Sequence, residues 1–290
     1  MRTLKPFNYF EPATVQEATS LLSKNGGNAQ VLAGGVDLIP RMRKGKIKAD
    51  ILINIQKISE LDHLSVDGKE GLKFGAMTSL HTIELSRDVR KVYPILYEAI
   101  HQIASFQAKV MGTAVGNLCV ATPASDVATA IIALGGKLTI AGPDGVRTEP
   151  IEKFYKGYLK TSLKKGEMVT GVSLPGPPAG SGTGFLNLVR TKGDSAKVSV
   201  AVAVTLEKGI CQEARIGLGA VAPTVFRAAE AEAVLKGQKL SADTMSKAAE
   251  KAAEETRPIT DVRSAAGYRK EMTGVLIRRA LEQALERAKA

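Results

Sequence analysis

Two short stretches of this chain place glycine where an ordinary side chain would block the backbone. Val31-Leu32-Ala33-Gly34-Gly35-Val36-Asp37-Leu38 continues an apolar, strand-like run, and Gly112-Thr113-Ala114-Val115-Gly116-Asn117-Leu118-Cys119 lies well downstream. A glycine pair after a strand lets backbone N–H groups face an anion with no Cβ between them. A helix that starts just beyond adds its positive end. The spacing is not Gly-x-Gly-x-x-Gly, which disfavours a Rossmann dinucleotide site. No Gly-Lys-Ser/Thr spacing points to a Walker loop. Two separate phosphate loops suit a ligand with two phosphates in the middle and a large group at each end.

The pattern around these stretches is mixed α and β. The first part reads βαβαβ. A strand at 7–10 leads to Thr14, which caps a helix with Glu17 as the other half of a capping box. That helix has the apolar face Val15, Ala18, Leu21 and Leu22 and stops at Asn25-Gly26-Gly27. A strand at 29–33 runs into Gly34-Gly35. Asp37 caps a short helix or fixes the loop, Gly45 ends that helix, and a third strand covers 49–55. A hairpin turns at Asp67-Gly68, and two helices follow at 79–86 and 94–105. The second glycine stretch comes next, then an apolar helix at 127–134 opened by Pro123 and Asp126, and a hairpin turning at Pro143-Asp144-Gly145. Proline and glycine crowd into 171–184, which reads as a linker. Beyond it, strands at 183–189, 197–206 and 210–218 precede helices at 228–235, 242–255 and 268–288. The middle strand alternates Val198, Val200, Val202 and Val204, so one face is buried. The expected class is α+β. A domain over 1–175 has one lobe at about 1–57 and a second at about 58–175. A three-stranded antiparallel sheet with helices follows over 180–290.

Composition removes several functions. Two cysteines, Cys119 and Cys211, cannot hold an iron–sulfur cluster or a structural zinc within the chain. They imply no disulfide framework and favour a reducing, cytoplasmic setting. Cys119 reads as a small packing residue. The first seven residues have no apolar run behind them, so they do not read as a signal peptide, and the longest apolar run is far short of the ~20 residues of a membrane span. The formal net charge is +11. The basic residues are dispersed and lack interleaved aromatics, which argues against nucleic acid. One cluster, Arg41, Arg43, Lys44, Lys46 and Lys48, is either a solvated helix end or a contact for an acidic partner or for the ligand's adenosine end.

No nucleophile–base pair stands out, and His63, His81 and His101 show no metal-ligand spacing. Phosphate loops without an acid–base constellation suit a redox-cofactor carrier, in which the cofactor supplies the chemistry. FAD matches the two-phosphate ligand. In the second stretch Thr113 offers a hydroxyl, Asn117 an amide and Gly116 an open backbone. Asp126 either caps a helix or hydrogen-bonds a polyol such as a ribityl chain.

The chain resembles the FAD-binding medium subunits of molybdenum hydroxylases, a group that includes xanthine dehydrogenase and bacterial carbon monoxide dehydrogenase. The likeness runs through Phe7-Asn8-Tyr9-Phe10-Glu11-Pro12-Ala13-Thr14, Ala33-Gly34-Gly35-Val36-Asp37-Leu38 and Gly75-Ala76-Met77-Thr78. It continues through 112–118, Ala121-Thr122-Pro123-Ala124-Ser125-Asp126, Ala196-Lys197-Val198-Ser199-Val200-Ala201 and Asp261-Val262-Arg263-Ser264-Ala265-Ala266-Gly267-Tyr268-Arg269. The resemblance implies a two-lobed flavin domain of the vanillyl-alcohol-oxidase-like (PCMH) type. It implies that residues 33–37, with Leu38, and Thr113, Ala114, Val115, Gly116 and Asn117 hold the pyrophosphate. Asp126 would hold the ribityl chain, Thr78 would make a third contact, and Val169 would pack near the isoalloxazine ring. The implied partners are an iron–sulfur small subunit, a molybdopterin large subunit and an external electron acceptor such as NAD.

Three positions depart from the family pattern. Val36 replaces a Thr or Ser. Val115-Gly116 replaces Gly-Gly, so Val115 is expected in an ordinary conformation with Gly116 making the turn. A lysine frequent between Phe185 and Arg190 is absent, and Leu186, Asn187 and Leu188 stand there. The alternative reading is a self-sufficient FAD oxidoreductase with its own substrate, and a third is a nucleotide-binding scaffold that has lost redox function.

Overall fold

The computed structural model describes residues 3–68, 70–103 and 105–289. Met1 and Arg2 of the opening segment, and Ala104 of the helix expected over 94–105, lie outside them.

The chain opens with β1 (Asn8–Phe10), α1 (Val15–Asn25), β2 (Ala29–Leu32), α2 (Leu38–Arg43) and β3 (Ile51–Asn54). These strands form a parallel sheet in the order β1-β3-β2, with Asn8 and Ala29 both opposite Ile51. Thr14 caps α1 by accepting from the Glu17 N–H, while the Glu17 carboxylate accepts from the Ala13 N–H one residue before the cap. Asp37 stands at the cap position of α2 but makes no capping bond. Its carboxylate turns to Arg41 instead, 3.2 Å away.

The second lobe contains β4 (Leu64–Asp67), β5 (Gly71–Gly75), α3 (Leu80–Leu85), α4 (Arg87–Val92), α5 (Pro94–His101), α6 (Phe106–Met111), α7 (Ala114–Cys119), α8 (Asp126–Ala133), β6 (Lys137–Gly142), β7 (Gly145–Pro150), α9 (Ile151–Phe154), β8 (Tyr155–Gly157), β9 (Lys160–Thr161) and β10 (Met168–Leu174). Two helices were expected between β5 and the second glycine stretch, and four short ones stand there. The expected helices stand as α3 and α5, and α4 and α6 are additional, their starts capped by the Ser86 and Ser105 hydroxyls. Five strands form an antiparallel sheet in the order β4-β5-β10-β6-β7. Val15, Ala18, Leu22 and Ile53 of the first lobe share one core with Leu72, Phe74, Ile131 and Ile140 of the second.

The rest comprises β11 (Ser181–Leu188), β12 (Val198–Glu207), β13 (Ile210–Gly219), β14 (Phe226–Arg227), α10 (Ala229–Leu235), α11 (Ala242–Glu255) and α12 (Ala266–Lys289). The antiparallel sheet has four strands, not three, because the short β14 pairs with the end of β13. Val198, Val200, Val202 and Val204 are buried against α10, α11 and α12 in a second core, each contributing roughly 1.5–3 kcal/mol. The expected linker over 171–184 is also shorter than composition suggested. Gly171 lies in β10, and Gly182 and Gly184 lie in β11. An added Cβ at Gly182 or Gly184 would fall on the Ala284 or Ala280 carbonyl oxygen of α12. These glycines mark close packing, and only 175–180 connects the two parts.

Candidate functional site

The first glycine stretch ends β2 and enters α2. Gly35 has φ +69°, the left-handed region that suits glycine. Gly34 is held by proximity, since a Cβ there would fall on the Met111 carbonyl oxygen and lie 3.0 Å from the Gly112 Cα. The two glycine stretches therefore touch backbone to backbone. The Ala33 carbonyl accepts from Gln56 Nε2 at 3.1 Å, which fixes the loop's root. Among the described residues, the Val36 and Asp37 N–H groups make no hydrogen bond. Val36 is exposed and Leu38 half-buried. Arg43, Lys44, Lys46 and Lys48 follow on the exposed side, without an ion-pair partner among the described residues.

The second stretch is a helix start and not a loop. Thr113 caps α7 by accepting from the Gly116 N–H at 3.0 Å. Ala114, Val115, Gly116 and Asn117 all lie within α7. Neither Val115 nor Gly116 has positive φ, so Gly116 makes no turn; Val115 is buried in the core. The reversal comes later, at Ala121 with φ 52°.

The segment at Thr78 joins these two. The Ala114 N–H donates to the Thr78 carbonyl at 3.2 Å, and the Leu80 N–H donates to the Gly112 carbonyl at 2.9 Å. The Thr78 hydroxyl is buried, donating to the His63 carbonyl and accepting from the Gly75 N–H. Thr78 thus braces the segment with its side chain and meets the second stretch through its backbone. Val169 is buried in β10 beside Thr170, whose carbonyl accepts from the Ala76 N–H at 2.9 Å.

Asp126 opens α8, yet the capping hydroxyl belongs to Ser125, which accepts from the Ala128 N–H. Ser125 also donates to Asn117 Oδ1 at 2.5 Å and ties α7 to α8. The Asp126 carboxylate, 7% exposed, accepts from Asn187 Nδ2 at 2.9 Å and from the Ser199 hydroxyl. Burial pushes its pKa up to about 6, against the lowering effect of those two hydrogen bonds. Asn187 and Ser199 sit directly opposite each other across the β11–β12 pair. Neither was assigned a role from sequence. The available signal was the polar residue opposed to the valine face of β12, which period-two reading leaves pointing at the other layer.

Cys119 is half-buried and packs against the first core, and burial pushes its thiol up to about 12. Two of the three histidines, apart in sequence, come together. His101 Nδ1 lies 2.9 Å and His81 Nδ1 3.7 Å from the Glu84 carboxylate, which Lys109 also reaches at 2.6 Å.

Residues 5–177 match the family model of the FAD binding domain in molybdopterin dehydrogenase, and residues 184–284 match that of the CO dehydrogenase flavoprotein C-terminal domain. The chain belongs to the molybdopterin dehydrogenase flavoproteins. Within this family it is 36% identical to the carbon monoxide dehydrogenase medium chain of Afipia carboxidovorans, over 98% of each chain. It is 31% identical to the glyceraldehyde dehydrogenase medium chain of Sulfolobus acidocaldarius, over 96% of this chain and 98% of that one. Reconstituted CO dehydrogenase from Oligotropha carboxidovorans contains a chain of the same fold, with TM-score 0.94, 35% identity and coverage of 98% and 99%. FAD is the cofactor of this flavoprotein family. The residues present fit a dinucleotide in one clear respect. Where the two glycine stretches meet, any side chain at position 34 would collide with backbone, while the neighbouring N–H groups of Val36 and Asp37 stay free for an anion. No helix among the described residues is long and apolar enough to cross a membrane.

Proposed function

We propose that this chain is the FAD-carrying electron-transfer subunit of a molybdopterin-dependent hydroxylase or dehydrogenase. It would stand between iron–sulfur clusters on a small subunit and an external acceptor, with substrate oxidised at a molybdopterin site on a large subunit. When bound, FAD supplies the redox chemistry, and the chain supplies binding, orientation and electrostatics.

The observation that carries this reading is the meeting of Gly34 with Met111 and Gly112, with Thr78 and Leu80 bonded to the same segment. Ala33, Gly34, Gly35, Val36, Asp37 and Leu38 would hold the pyrophosphate from one side, with backbone N–H groups as donors. Thr113, Ala114, Val115, Gly116 and Asn117 would hold it from the other. Asp126 would hold the ribityl hydroxyls, its carboxylate kept in place by Asn187 and Ser199. Thr78 would make a third contact, and Val169 would pack near the isoalloxazine ring. Two free cysteines, one buried and one half-buried, support a reducing cytoplasmic setting.

The test is an absorption spectrum, with molybdenum, iron and sulfide analysis, of the protein isolated gently from its native host. Flavin bands with co-purifying molybdenum and iron–sulfur clusters are the expected result. Flavin on a lone chain without metals would overturn the complex. A colourless chain that takes up no added FAD would overturn the cofactor site.

A further inference from the structure

Backbone strain in this chain gathers at one loop. Four described residues other than glycine have positive φ, namely Ala121 (52°), Leu159 (57°), Lys208 (51°) and Ala220 (63°). Lys208 lies with Gly209 in the two-residue turn between β12 and β13, where a hairpin of that length favours it. The other three belong to the loop between α7 and α8 or bond to it. The Ala121 carbonyl accepts from the Leu159 N–H at 3.1 Å, and the Pro123 carbonyl accepts from the Ala220 N–H at 2.6 Å. This loop leads from Asn117 to Ser125 and Asp126. A left-handed alanine costs free energy and persists only where its surroundings over-determine it.

Ala220 is over-determined at both ends. Its N–H is bonded to Pro123, and its carbonyl accepts from Arg269 Nη1 at 3.0 Å. Arg269, in the first turn of α12, is only 3% exposed. The same Nη1 donates to the Lys197 carbonyl at 2.8 Å, and Nη2 donates to Asp261 Oδ1 at 2.7 Å. Asp261 is itself fixed by the N–H groups of Arg263 and Ser264. A buried guanidinium is destabilising unless its charge and donors are matched. Here the two Nη groups of one planar fork join two carbonyls from separate segments to one carboxylate, a geometry that a lysine ammonium does not reproduce, while the buried Nε has no partner among the described residues.

We propose that Arg269 is a positioning residue for the flavin site. It locks Ala220 in its left-handed conformation, and Ala220 holds the Pro123 carbonyl, so that the loop presents Ser125 and Asp126 in one place. This inference rests on the FAD reading given above and deepens it, because the residue lies on the C-terminal part of the chain, outside the two glycine stretches.

The experiment uses the full chain and four variants, Arg269→Gln, Arg269→Lys, Ala220→Gly and the double variant Arg269→Gln/Ala220→Gly. FAD dissociation constants and the visible-region circular dichroism of bound flavin are measured well below each melting transition. Arg269→Gln should weaken FAD binding about tenfold and change the flavin's dichroism, with Arg269→Lys in between. Ala220→Gly alone, which keeps the N–H that bonds Pro123, sets the reference affinity for the double variant. In the double variant the glycine should recover much of the lost affinity, because it enters that conformation without the steric penalty of a Cβ. An Arg269→Gln chain that melts lower yet binds FAD with unaltered affinity and dichroism would overturn the proposal, as would a double variant with no recovery. Should Arg269→Gln fail to fold, Ala220→Val keeps Arg269 and resists positive φ, and unchanged FAD binding in that variant would overturn the proposal equally. An unaltered chain that takes up no FAD fails at the cofactor site first and removes the proposal with it.

Discussion

At the scale of single residues, two positions decide what the site tolerates. Gly34 is required by what faces it. Gly34→Ala should lose most bound flavin and lower stability by about 1–3 kcal/mol, read from flavin per chain and from the melting midpoint. Asp126 carries a pH signature. Its carboxyl is raised from 3.8 to about 6 in the folded chain, so the folded state binds the proton more tightly than the unfolded one. Its contribution to stability is fully present below pH 3.8 and is lost as pH rises through about 6. In the flavin-free chain, melting followed against pH should show this loss, on the order of 3 kcal/mol, and Asp126→Asn should flatten the curve in that window. Asp126 was legible in the sequence as a polar residue at a helix start. Its partners Asn187 and Ser199 were not, because alternation sets Ser199 opposite the valine face of β12 but names no partner for it.

At the scale of elements, local chemistry read well wherever the element's own residues set its limits. The capped start of α1, the glycine end of the same helix and the valine alternation of β12 all stand where sequence put them. The misread glycines share one cause. Glycine signals a turn only when backbone conformation requires it, and Gly116, Gly182 and Gly184 are instead required by close neighbours or tolerated inside an element. Thr113 turns a presumed loop into α7 because its hydroxyl caps the helix while Thr78 accepts the Ala114 N–H. Gly184→Ala should push α12 off β11, since the new Cβ meets the Ala280 carbonyl. A loss of about 1–3 kcal/mol is expected in denaturant unfolding, against about 1 kcal/mol for removing the exposed Thr14 cap by Thr14→Ala.

At the scale of the whole molecule, the C-terminal part completes the first. Asn187, Ser199 and Ala220 reach across to Asp126 and Pro123, and Arg287 of α12 donates to Glu98 of α5 at 2.5 Å. A fragment ending at residue 177 should therefore bind FAD more weakly than the full chain even where its own fold persists, and equal affinity by fluorescence titration would show that these contacts are idle. Chain-local information, namely residue type, helical and strand periodicity, cap residues and charge, determined the class of fold, most elements and the two glycine stretches that face each other. The tertiary structure alone decided that Gly34 rests on Met111, that Asp126 answers to Asn187 and Ser199, and that a strained Ala220 is held between Pro123 and Arg269. Those partners are far apart along the chain. Their hydrogen bonds form only after the sheets and α8 have packed, so no window of sequence contains the interaction that selects them.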